Sequence, residues 1–493
     1  MSKIVSNPHI KLNPKHDAFK YQAEAFYALK DLEYSAIFHE QGLGKTKIAI
    51  DLLLYWLTNK NIDTVMIVTK KQLVKNWQDE FKFHTHIVPK VLSSNKADNF
   101  FVLNSPAKVI LANFETISTD KDRIKLFLKS RDVAIIIDES AKLKNPETQL
   151  TKNFFELSPL FKIKTIMTGT PVANRPYDIW SQIFFLDQGK SLGEDFYSFK
   201  KSTDLRNNFS EEAELKTIFE DAVASIYDKI SAFSVRETKK TAGITLPQKI
   251  YEIKYANYEH RQYQMYQSVM KDLMIELRRD DEVIIDDDSV ALKRLLRLLQ
   301  ISSNPLLLDD GYSAVSGKEK VLDELLEKIS SQEEKCIVWS CFIENIEYFA
   351  KRYKQYNPRK IHGGMAIDDR NRSVDLFKKD PTCKVLFATP QAAKEGLTLT
   401  VANHVIFYDR SFNLDDYLQA QDRIHRISQK KTCYVYNLMI KDSVDEWINS
   451  LLEAKQYAAF LAQGDISKAQ YQEMANYSYC DLIKEILLQE EKF

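Results

Sequence analysis

QGLGKT, at residues 41–46, is the stretch that decides the fold of this 493-residue chain. A short apolar run, residues 35–38, precedes it, and an apolar-periodic segment, residues 48–57, follows it. A strand, a glycine-rich turn and a helix in this order are typical of a loop that binds nucleotide phosphates. The glycines let main-chain N–H groups approach phosphate oxygens, and the helix N-terminus adds positive charge.

Two side chains of this stretch have predicted roles in binding a nucleotide. Lys45 is predicted to reach the β- and γ-phosphates, and Thr46 is predicted to hold Mg²⁺, so ATP and magnesium are the expected ligands. Two observations leave an alternative open. GxGKT also occurs by chance in loops, and His39 stands where the full pattern has its first glycine.

The composition excludes several classes of protein. Lys plus Arg and Asp plus Glu number 69 each, so net charge gives no indication of nucleic-acid binding. Five scattered cysteines lack the spacing of a zinc site or a disulfide framework and favour a reducing cytosol. With no signal peptide and no apolar run near the roughly 20 residues of a membrane helix, a cytoplasmic protein is expected.

Short β-rich apolar runs alternate with helical stretches along most of the chain. Residues 133–137 are apolar at every position, which indicates a strand covered on both faces and hence parallel sheets flanked by helices. The candidate strands form two clusters: 35–38, 64–69, 108–112, 133–138 and 164–168, then 336–340, 385–389, 404–408 and 434–439. Two α/β lobes are therefore predicted.

The predicted domains follow from these clusters. Residues 1–235 are expected to form an N-terminal ATP-binding lobe, and residues 236–475 a C-terminal lobe with a helical insertion at about 255–305. The joining stretch, about residues 186–300, reads as helical and charged. The region after Asp442 is helical by pattern and is expected to act as a brace, with residues 476–493 as a helical tail.

Three further motifs carry chemistry. Asp138 and Glu139 directly follow the apolar run 133–137, where one carboxylate can hold Mg²⁺ and the other can polarise the attacking water. TGTP, residues 168–171, follows the next strand and suits a tight coupling loop. Residues 419–429 are predicted to be helical, with Arg423 and Arg426 on one face, either as a salt-bridged surface or as fingers that stabilise charge on the γ-phosphate.

Together these motifs resemble those of Swi/Snf-type ATPases, the DNA-translocating branch of the superfamily-two helicases. The resemblance covers about residues 18–450, and its most specific part is QAQDRIHRISQ at residues 419–429. The other matching stretches are TKKQLVKNWQDEF (69–81), VILANFETI (109–117), DESAKLKNP (138–146), TGTPVANRPYDIWS (168–181), LPQK (246–249), ISSNPLLL (301–308), SGK (316–318) and EGLTLTVANHVIFYDRSFN (395–413). His39, Thr398 and Arg410 depart from the family pattern.

The resemblance implies an α/β fold of two tandem RecA-like P-loop lobes with parallel sheets, helical insertions and a C-terminal helical brace. It implies catalytic roles for Lys45, Asp138, Glu139, Arg423 and Arg426. The implied nucleotide-binding residues are Gln22, Gln41, Gly42, Leu43, Gly44, Lys45, Thr46 and Gly396, with Thr46 and Asp138 as metal ligands. The implied DNA contacts are Lys70, Lys71, Asn113, Ser340, Gly363 and Thr389, although Lys70 and Lys71 could equally be a solvated strand end. Trp77 and Trp180 are expected to be packing residues.

The function that this implies is a DNA-stimulated ATPase that translocates along double-stranded DNA. It is expected to act in replication, repair or remodelling, as a monomer with replication or repair proteins as partners. A minimal, lysine-rich chain of this kind resembles bacterial or phage proteins more than eukaryotic remodellers, so the cytoplasm of a bacterial or phage-infected cell is expected. One alternative is a true strand-separating DNA helicase. Another, from a different class, is a non-hydrolysing DNA-binding assembly factor.

Overall fold

The computed structural model describes residues 11–210, 212–279, 288–394, 397–426 and 428–475. The chain divides into two compact units. The first unit comprises Met1–Thr245 and Ala458–Tyr471, and the second comprises Leu246–Tyr457 and Gln472–Phe493. The first boundary therefore falls ten residues after the predicted one at 235, and a C-terminal segment returns to the first unit.

The first unit is built on a seven-stranded sheet in the order β3-β4-β2-β5-β6-β1-β7, and each neighbouring pair is parallel. Its strands are β1 (Tyr34–Ile37), β2 (Thr64–Thr69), β3 (Lys90–Val91), β4 (Val109–Asn113), β5 (Val133–Asp138), β6 (Ile163–Met167) and β7 (Ser234–Val235). Because all strands run the same way, their carboxyl ends meet at one edge of the sheet, where ligands of such sheets bind.

The helices of the first unit connect these strands. They are α1 (Lys20–Leu29), α2 (Lys45–Asn59), α3 (Val74–His84), α4 (Lys96–Asn104), α5 (Phe114–Thr119), α6 (Lys121–Ser130), α7 (Gln149–Leu157), α8 (Trp180–Asp187), α9 (Phe196–Thr203), α10 (Leu205–Phe209) and α11 (Ala213–Ile230). The apolar run in β5 is buried at Val133 through Ile137, as expected for a strand with helices on both faces. Helix α2 packs Ile50, Leu53 and Trp56 into the same core, which anchors the turn that precedes it.

The second unit has a six-stranded parallel sheet in the order β10-β11-β9-β12-β13-β8. Its strands are β8 (Lys249–Ala256), β9 (Cys336–Trp339), β10 (Arg359–Ile361), β11 (Val385–Ala388), β12 (His404–Phe407) and β13 (Cys433–Ile440). The helices from α12 onward are α12 (His260–Arg279), α13 (Asp288–Ser303), α14 (Gly317–Ser331), α15 (Ile343–Arg352), α16 (Ile367–Lys379), α17 (Leu414–Gln421), α18 (Val444–Ala462) and α19 (Lys468–Met474). The predicted α/β fold with two parallel sheets is confirmed.

The prediction that residues 186–300 are helical is wrong at two places, because strands β7 and β8 lie within this stretch. Strand β8 is at the edge of its sheet, and Tyr251, Ile253 and Tyr255 on one side of it are exposed. Glu252 and Lys254 alternate with these residues, so β8 lacks the continuous apolar run of a central parallel strand. The alternation of side chains with a period of two is present in the sequence of β8, but the high charge of the surrounding stretch obscured it.

Helices follow residue 442, as predicted, and α18 begins in the second unit and ends in the first. The predicted tail, residues 476–493, lies outside the described residues. Over the described ranges, no helix combines the length and the apolar character that crossing a membrane requires.

Candidate functional site

The turn between β1 and α2 has the backbone of an anion cradle. Gly42 and Gly44 adopt positive φ angles of 86° and 69°, a region that costs side-chain-bearing residues energy. Gly44 caps the N-terminus of α2, and a Cβ added at Gly42 would meet nothing within 4 Å. The loop thus leaves open space in front of a helix N-terminus, which is the arrangement that binds phosphate groups.

Main-chain oxygens hold the side-chain amine of Lys45 at this turn. Its Nζ donates hydrogen bonds to the carbonyl oxygens of His39 at 2.9 Å and Glu40 at 3.3 Å. Burial lowers the pKa of the Lys45 amine to about 8, while the carboxylates of Glu139 and Asp138 act in the opposite direction. The amine and both carboxylates therefore share one site at the edge of the sheet.

The TGTP loop lies against the phosphate-binding turn. The N–H of Thr168 donates to the carbonyl oxygen of Ile37 at 3.2 Å. A Cβ added at Gly169 would lie 2.6 Å from Cγ of Gln41 and 3.3 Å from Nζ of Lys45. Only glycine permits this approach, so the close contact explains why the loop following β6 begins Thr-Gly.

Gln22 on α1 packs against the same turn and is 4% exposed. Its Oε1 accepts from the N–H of Phe19 at 3.0 Å, and its Nε2 donates to the carbonyl oxygen of Leu43 at 3.2 Å. A Cβ at Gly44 would lie 2.4 Å from Nε2 of Gln22. The structure thus brings Gln22 to the turn, while its role in reading adenine stays a prediction.

Asp138, at the end of β5, is fixed by two donors from β2 and α3. Its Oδ2 accepts from Nε1 of Trp77 at 2.9 Å and from Oγ1 of Thr69 at 3.1 Å. Burial, and then the neighbouring charge of Glu139, raise the pKa of the Asp138 carboxyl. Sequence reasoning missed this part of the site, because Trp77 was expected only to pack. The indole is indeed buried, but its N–H aims the carboxylate.

Glu139 has a φ of 57°, which is uncommon for a residue other than glycine. Its Oε2 lies 3.7 Å from Nζ of Lys70, so this predicted DNA contact forms an ion pair with the predicted water-orienting residue. Backbone strain of this kind is found at functional sites, where the surrounding structure enforces it. Because this conformation is not extended, the Glu139 side chain does not continue the alternation of side chains along β5.

The donor set at this edge fits a magnesium ion bound together with a phosphate ligand. Thr46 and Asp138 offer the oxygen atoms that Mg²⁺ prefers. Among the described residues, no group of three or more His, Cys, Asp or Glu side chains is placed to hold a metal by itself. Mg²⁺ is commonly held by one or two protein ligands plus phosphates and water, so two oxygen ligands suffice here.

We predict that Trp77→Phe raises the Mg²⁺ concentration needed for half-maximal binding of an ATP analogue about tenfold, since residues that orient metal ligands typically have effects of this size. Phenylalanine fills much of the same space but cannot donate to Asp138. The measurement is the binding of a fluorescent ATP analogue over a Mg²⁺ titration. Trp180→Phe is the matched control, because Trp180 is also buried and donates to the carbonyl oxygen of Gly193. Equal Mg²⁺ curves for both variants would contradict the orienting role.

In the second unit, the prediction that Arg423 and Arg426 lie on a helix is wrong, since α17 ends at Gln421. Side-chain contacts compete with a further helical turn. Nζ of Lys249 lies 3.2 Å from Oδ1 of Asp422, and Nε2 of His425 lies 2.9 Å from the carbonyl oxygen of Pro247. The backbone conformation here therefore depends on partners almost 180 residues away in sequence, and a local sequence pattern cannot reveal such partners.

Arg423 and Arg426 nevertheless reach the same neighbouring loop. Nη1 of Arg426 donates to Oγ1 of Thr398 at 2.7 Å, and Nη1 of Arg423 donates to the carbonyl oxygen of Leu397 at 3.4 Å. Burial lowers the pKa of Arg426. Thr398 is a departure from the family pattern, and here its hydroxyl holds Arg426. The predicted nucleotide-binding residue Gly396 lies outside the described residues.

The predicted DNA contacts differ in their surroundings. In the first unit, Lys71 is exposed, whereas Oδ1 of Asn113 accepts from the N–H of Thr116 at 2.8 Å and caps α5. In the second unit, Gly363 is exposed and Thr389 is 4% exposed. These four positions stay predictions as contacts to DNA.

Ser340 is fully buried in a polar network that sequence reasoning missed. Its Oγ donates to Oδ2 of Asp409 at 2.6 Å, and the N–H of Cys341 donates to Oδ1 of Asp409 at 2.6 Å. Ser303 also donates to Oδ2, at 2.7 Å. Buried carboxylates need such donors. Asp409 thereby holds the turn after β9, and Ser340 stays a predicted DNA contact.

Comparison with known families agrees with the arrangement of motifs. The SNF2-related domain matches residues 26–307, and the helicase conserved C-terminal domain matches residues 317–428. The first match includes the phosphate-binding turn and both carboxylates. The second includes both arginines.

Similar proteins occur in bacteria and fungi. An uncharacterized ATP-dependent helicase of Mycoplasma genitalium is 27% identical over 91% of this chain and 42% of its own length. A chromatin structure-remodeling complex subunit of Schizosaccharomyces pombe is 26% identical over 85% of this chain and 36% of its own length. The chain thus spans less than half the length of these relatives. The SWI2/SNF2 ATPase core of Sulfolobus solfataricus in complex with dsDNA is 24% identical, with a TM-score of 0.43, over 95% of this chain and 98% of that one.

Proposed function

Since the chain belongs to the SNF2-related family, whose domain matches more than half of its 493 residues, we propose that it is a DNA-stimulated ATPase that translocates along double-stranded DNA. The observation that carries this proposal is the meeting of Lys45, Asp138 and Glu139 beside an open glycine-rich turn. A protein that only binds nucleotide has no need for a second carboxylate held in a strained backbone conformation.

The chemistry follows from these residues. Thr46 and Asp138 are the residues that would hold Mg²⁺, which when bound neutralises charge on the β- and γ-phosphates. Lys45 would donate its third N–H to a phosphate oxygen while the carbonyl oxygens of His39 and Glu40 keep the ammonium in place. Glu139 would orient a water molecule for in-line attack on the γ-phosphate. We propose that Arg423 and Arg426 stabilise the charge that develops in this step, an effect of about 10³–10⁵ in rate for such arginines.

The decisive experiment measures phosphate release without DNA and with single-stranded, duplex and branched DNA. We expect duplex DNA to stimulate hydrolysis most strongly. Displacement of the third strand of a triplex then tests movement along the duplex, and a forked duplex tests strand separation. Hydrolysis that no nucleic acid stimulates would refute the proposal, and unwinding of the fork would favour a strand-separating helicase.

Contacts to the phosphate backbone of DNA are proposed for Lys71 and Gly363, both of which are exposed. Such contacts carry little sequence information and weaken as salt rises. We propose Thr389 and Asn113 as further DNA contacts, because each residue lies at the carboxyl end of a strand and therefore at the edge of its sheet where ligands bind. Lys70 would bind DNA only after its ion pair with Glu139 is broken.

We predict that Lys71→Ala weakens duplex binding uniformly across sequences and reduces the slope of log affinity against log salt by about one. The loss of one lysine removes one phosphate contact and its released counterion. Binding is measured by fluorescence anisotropy over a series of salt concentrations. Lys20→Ala is the control, because the Lys20 side chain is 91% exposed on α1 but lies outside the proposed contacts. An unchanged slope for Lys71→Ala would remove this residue from the DNA interface.

For the cellular setting we propose a cytoplasmic monomer that serves DNA replication or repair together with partner proteins. Within the part of the chain that the structure describes, Cys336, Cys341, Cys383 and Cys433 form no disulfide, which suits a reducing compartment. Sedimentation at working concentrations tests the monomer, and co-purification with replication or repair proteins tests the partners.

A further inference from the structure

Residues 463–471, the C-terminal segment, follow α18 and contact α11 within the first unit. Gly464 has a φ of 72°, and a Cβ added there would lie 2.7 Å from the ring of Tyr227. Nζ of Lys468 lies 2.5 Å from Oδ1 of Asp221, and Tyr471 is fully buried. These contacts are specific enough to give the segment one position on the helix.

Asp465 in this segment binds the guanidinium of Arg236, which directly follows β7. Nε of Arg236 donates to Oδ1 of Asp465 at 2.7 Å, and Nη2 donates to Oδ2. The two side chains are only 13% and 17% exposed. A bidentate pair of this kind fixes the plane of the guanidinium, which the ammonium of lysine could not reproduce.

The remaining nitrogen of Arg236 reaches the entrance to the phosphate-binding turn. Nη1 donates to the carbonyl oxygen of Phe38 at 2.8 Å. Phe38 ends the run that leads into the turn, and its N–H donates to the carbonyl oxygen of Val235 at 2.9 Å. One guanidinium therefore connects the C-terminal segment to the residue that precedes His39.

Glu40 is also held by the stretch that follows β7. Its N–H donates to the carbonyl oxygen of Glu237 at 2.8 Å, and its Oε2 accepts from the N–H of Lys239 at 2.8 Å. The carbonyl oxygens of His39 and Glu40 are those that hold Nζ of Lys45. The position of Lys45 thus depends on residues 38–40, and these depend on the stretch around Arg236.

We propose that Asp465 and Arg236 are positioning residues for Lys45, so that docking of the C-terminal segment on α11 regulates nucleotide binding. The inference rests on the proposed ATPase function. The segment continues α18, which begins at Val444 in the second unit, so a change that pulls on this helix would loosen the ATP site through Asp465. Neither residue touches the substrate. Both act through the carbonyl oxygens that place the lysine.

The test compares Asp465→Asn and Arg236→Lys with the control Lys468→Gln. Asparagine lacks the charge of the pair, and lysine cannot bind Asp465 and the Phe38 carbonyl oxygen at once. For both variants we expect KM for ATP and Kd for a fluorescent ATP analogue to rise about tenfold, the size expected for losing a hydrogen bond to a charged group, while kcat changes less than about twofold. Hydrogen exchange of the amides at 38–46 should accelerate by a similar factor.

Lys468→Gln weakens the seating of the segment on Asp221 without touching residues 38–40. We expect faster exchange within residues 458–471 but an analogue Kd within about twofold of the parent, since an exposed ion pair contributes little. Parent values of Kd and of exchange at 38–46 in both Asp465→Asn and Arg236→Lys would overturn the inference. An equal rise in Kd for Lys468→Gln and Asp465→Asn, with exchange at 38–46 at the parent rate in both, would also overturn it, because docking would then act by a route other than residues 38–40. Analogue binding and exchange need no turnover, so they test the inference even if the parent protein does not hydrolyse ATP.

Discussion

Lys45→Ala is expected to reduce ATP hydrolysis about a hundredfold or more, the range seen when one group that stabilises transition-state charge is removed. The ammonium already lies at the turn, bound to the carbonyl oxygens of His39 and Glu40. Alanine leaves these oxygens directed into the space for phosphates, where they repel negative charge. Phosphate release with saturating duplex DNA measures the loss.

Duplex binding by Lys45→Ala should stay near that of the parent, because the proposed DNA contacts lie on other loops. Lys60→Ala is the control at the other end of α2, where Lys60 pairs with Asp31 at 2.7 Å. It should hydrolyse ATP within about twofold of the parent, since a surface pair contributes little. If Lys45→Ala kept more than a tenth of the parent rate, Lys45 would have no main role in stabilising phosphate charge.

Glu139→Gln is the second variant with a large expected effect. We expect kcat to fall about a hundredfold or more, because general-base catalysis by a positioned carboxylate contributes about 10²–10⁴ in rate. Glutamine keeps the size of the side chain but cannot polarise water in the same way, and it lacks the charge that pairs with Lys70. The measurements are kcat and the Kd for an ATP analogue with Mg²⁺.

Nucleotide affinity of Glu139→Gln should be unchanged or higher, since the change removes negative charge near the phosphates. Glu147→Gln provides a matched change on the loop after β5, where Oε1 of Glu147 accepts from the hydroxyl of Tyr197 at 2.7 Å. It should leave kcat unaltered. Near-normal turnover by Glu139→Gln would assign the orientation of water to another group.

Much of the site could be predicted from sequence because it depends on short stretches. The strand, the two glycines and the helix that form the turn at Lys45 are consecutive in the chain, so their pattern is visible locally. The same is true of Asp138 and Glu139, which follow five apolar residues. Parallel pairing then brings the carboxyl ends of β1 and β5 to one edge without further information.

Other features were outside the reach of such patterns. Arg423 and Arg426 have helical spacing, yet α17 ends at Gln421, because Asp422 and His425 bind residues far back in the chain. Strand β8 was missed because it lies at a sheet edge, where the charged residues Glu252 and Lys254 interrupt the apolar run expected of a central parallel strand.

The sequence by itself determined the two parallel-sheet units, the phosphate-binding turn and the pair of carboxylates, because hydrophobic period and backbone freedom are properties of neighbouring residues. Only the tertiary structure decided which donors aim Asp138 and which partner fixes Arg236. Trp77 and Asp138 are 61 residues apart, and Arg236 and Asp465 are 229 residues apart. Hydrogen bonds over such separations depend on how the helices pack against the sheet, and packing leaves no periodic signal in either partner's local sequence.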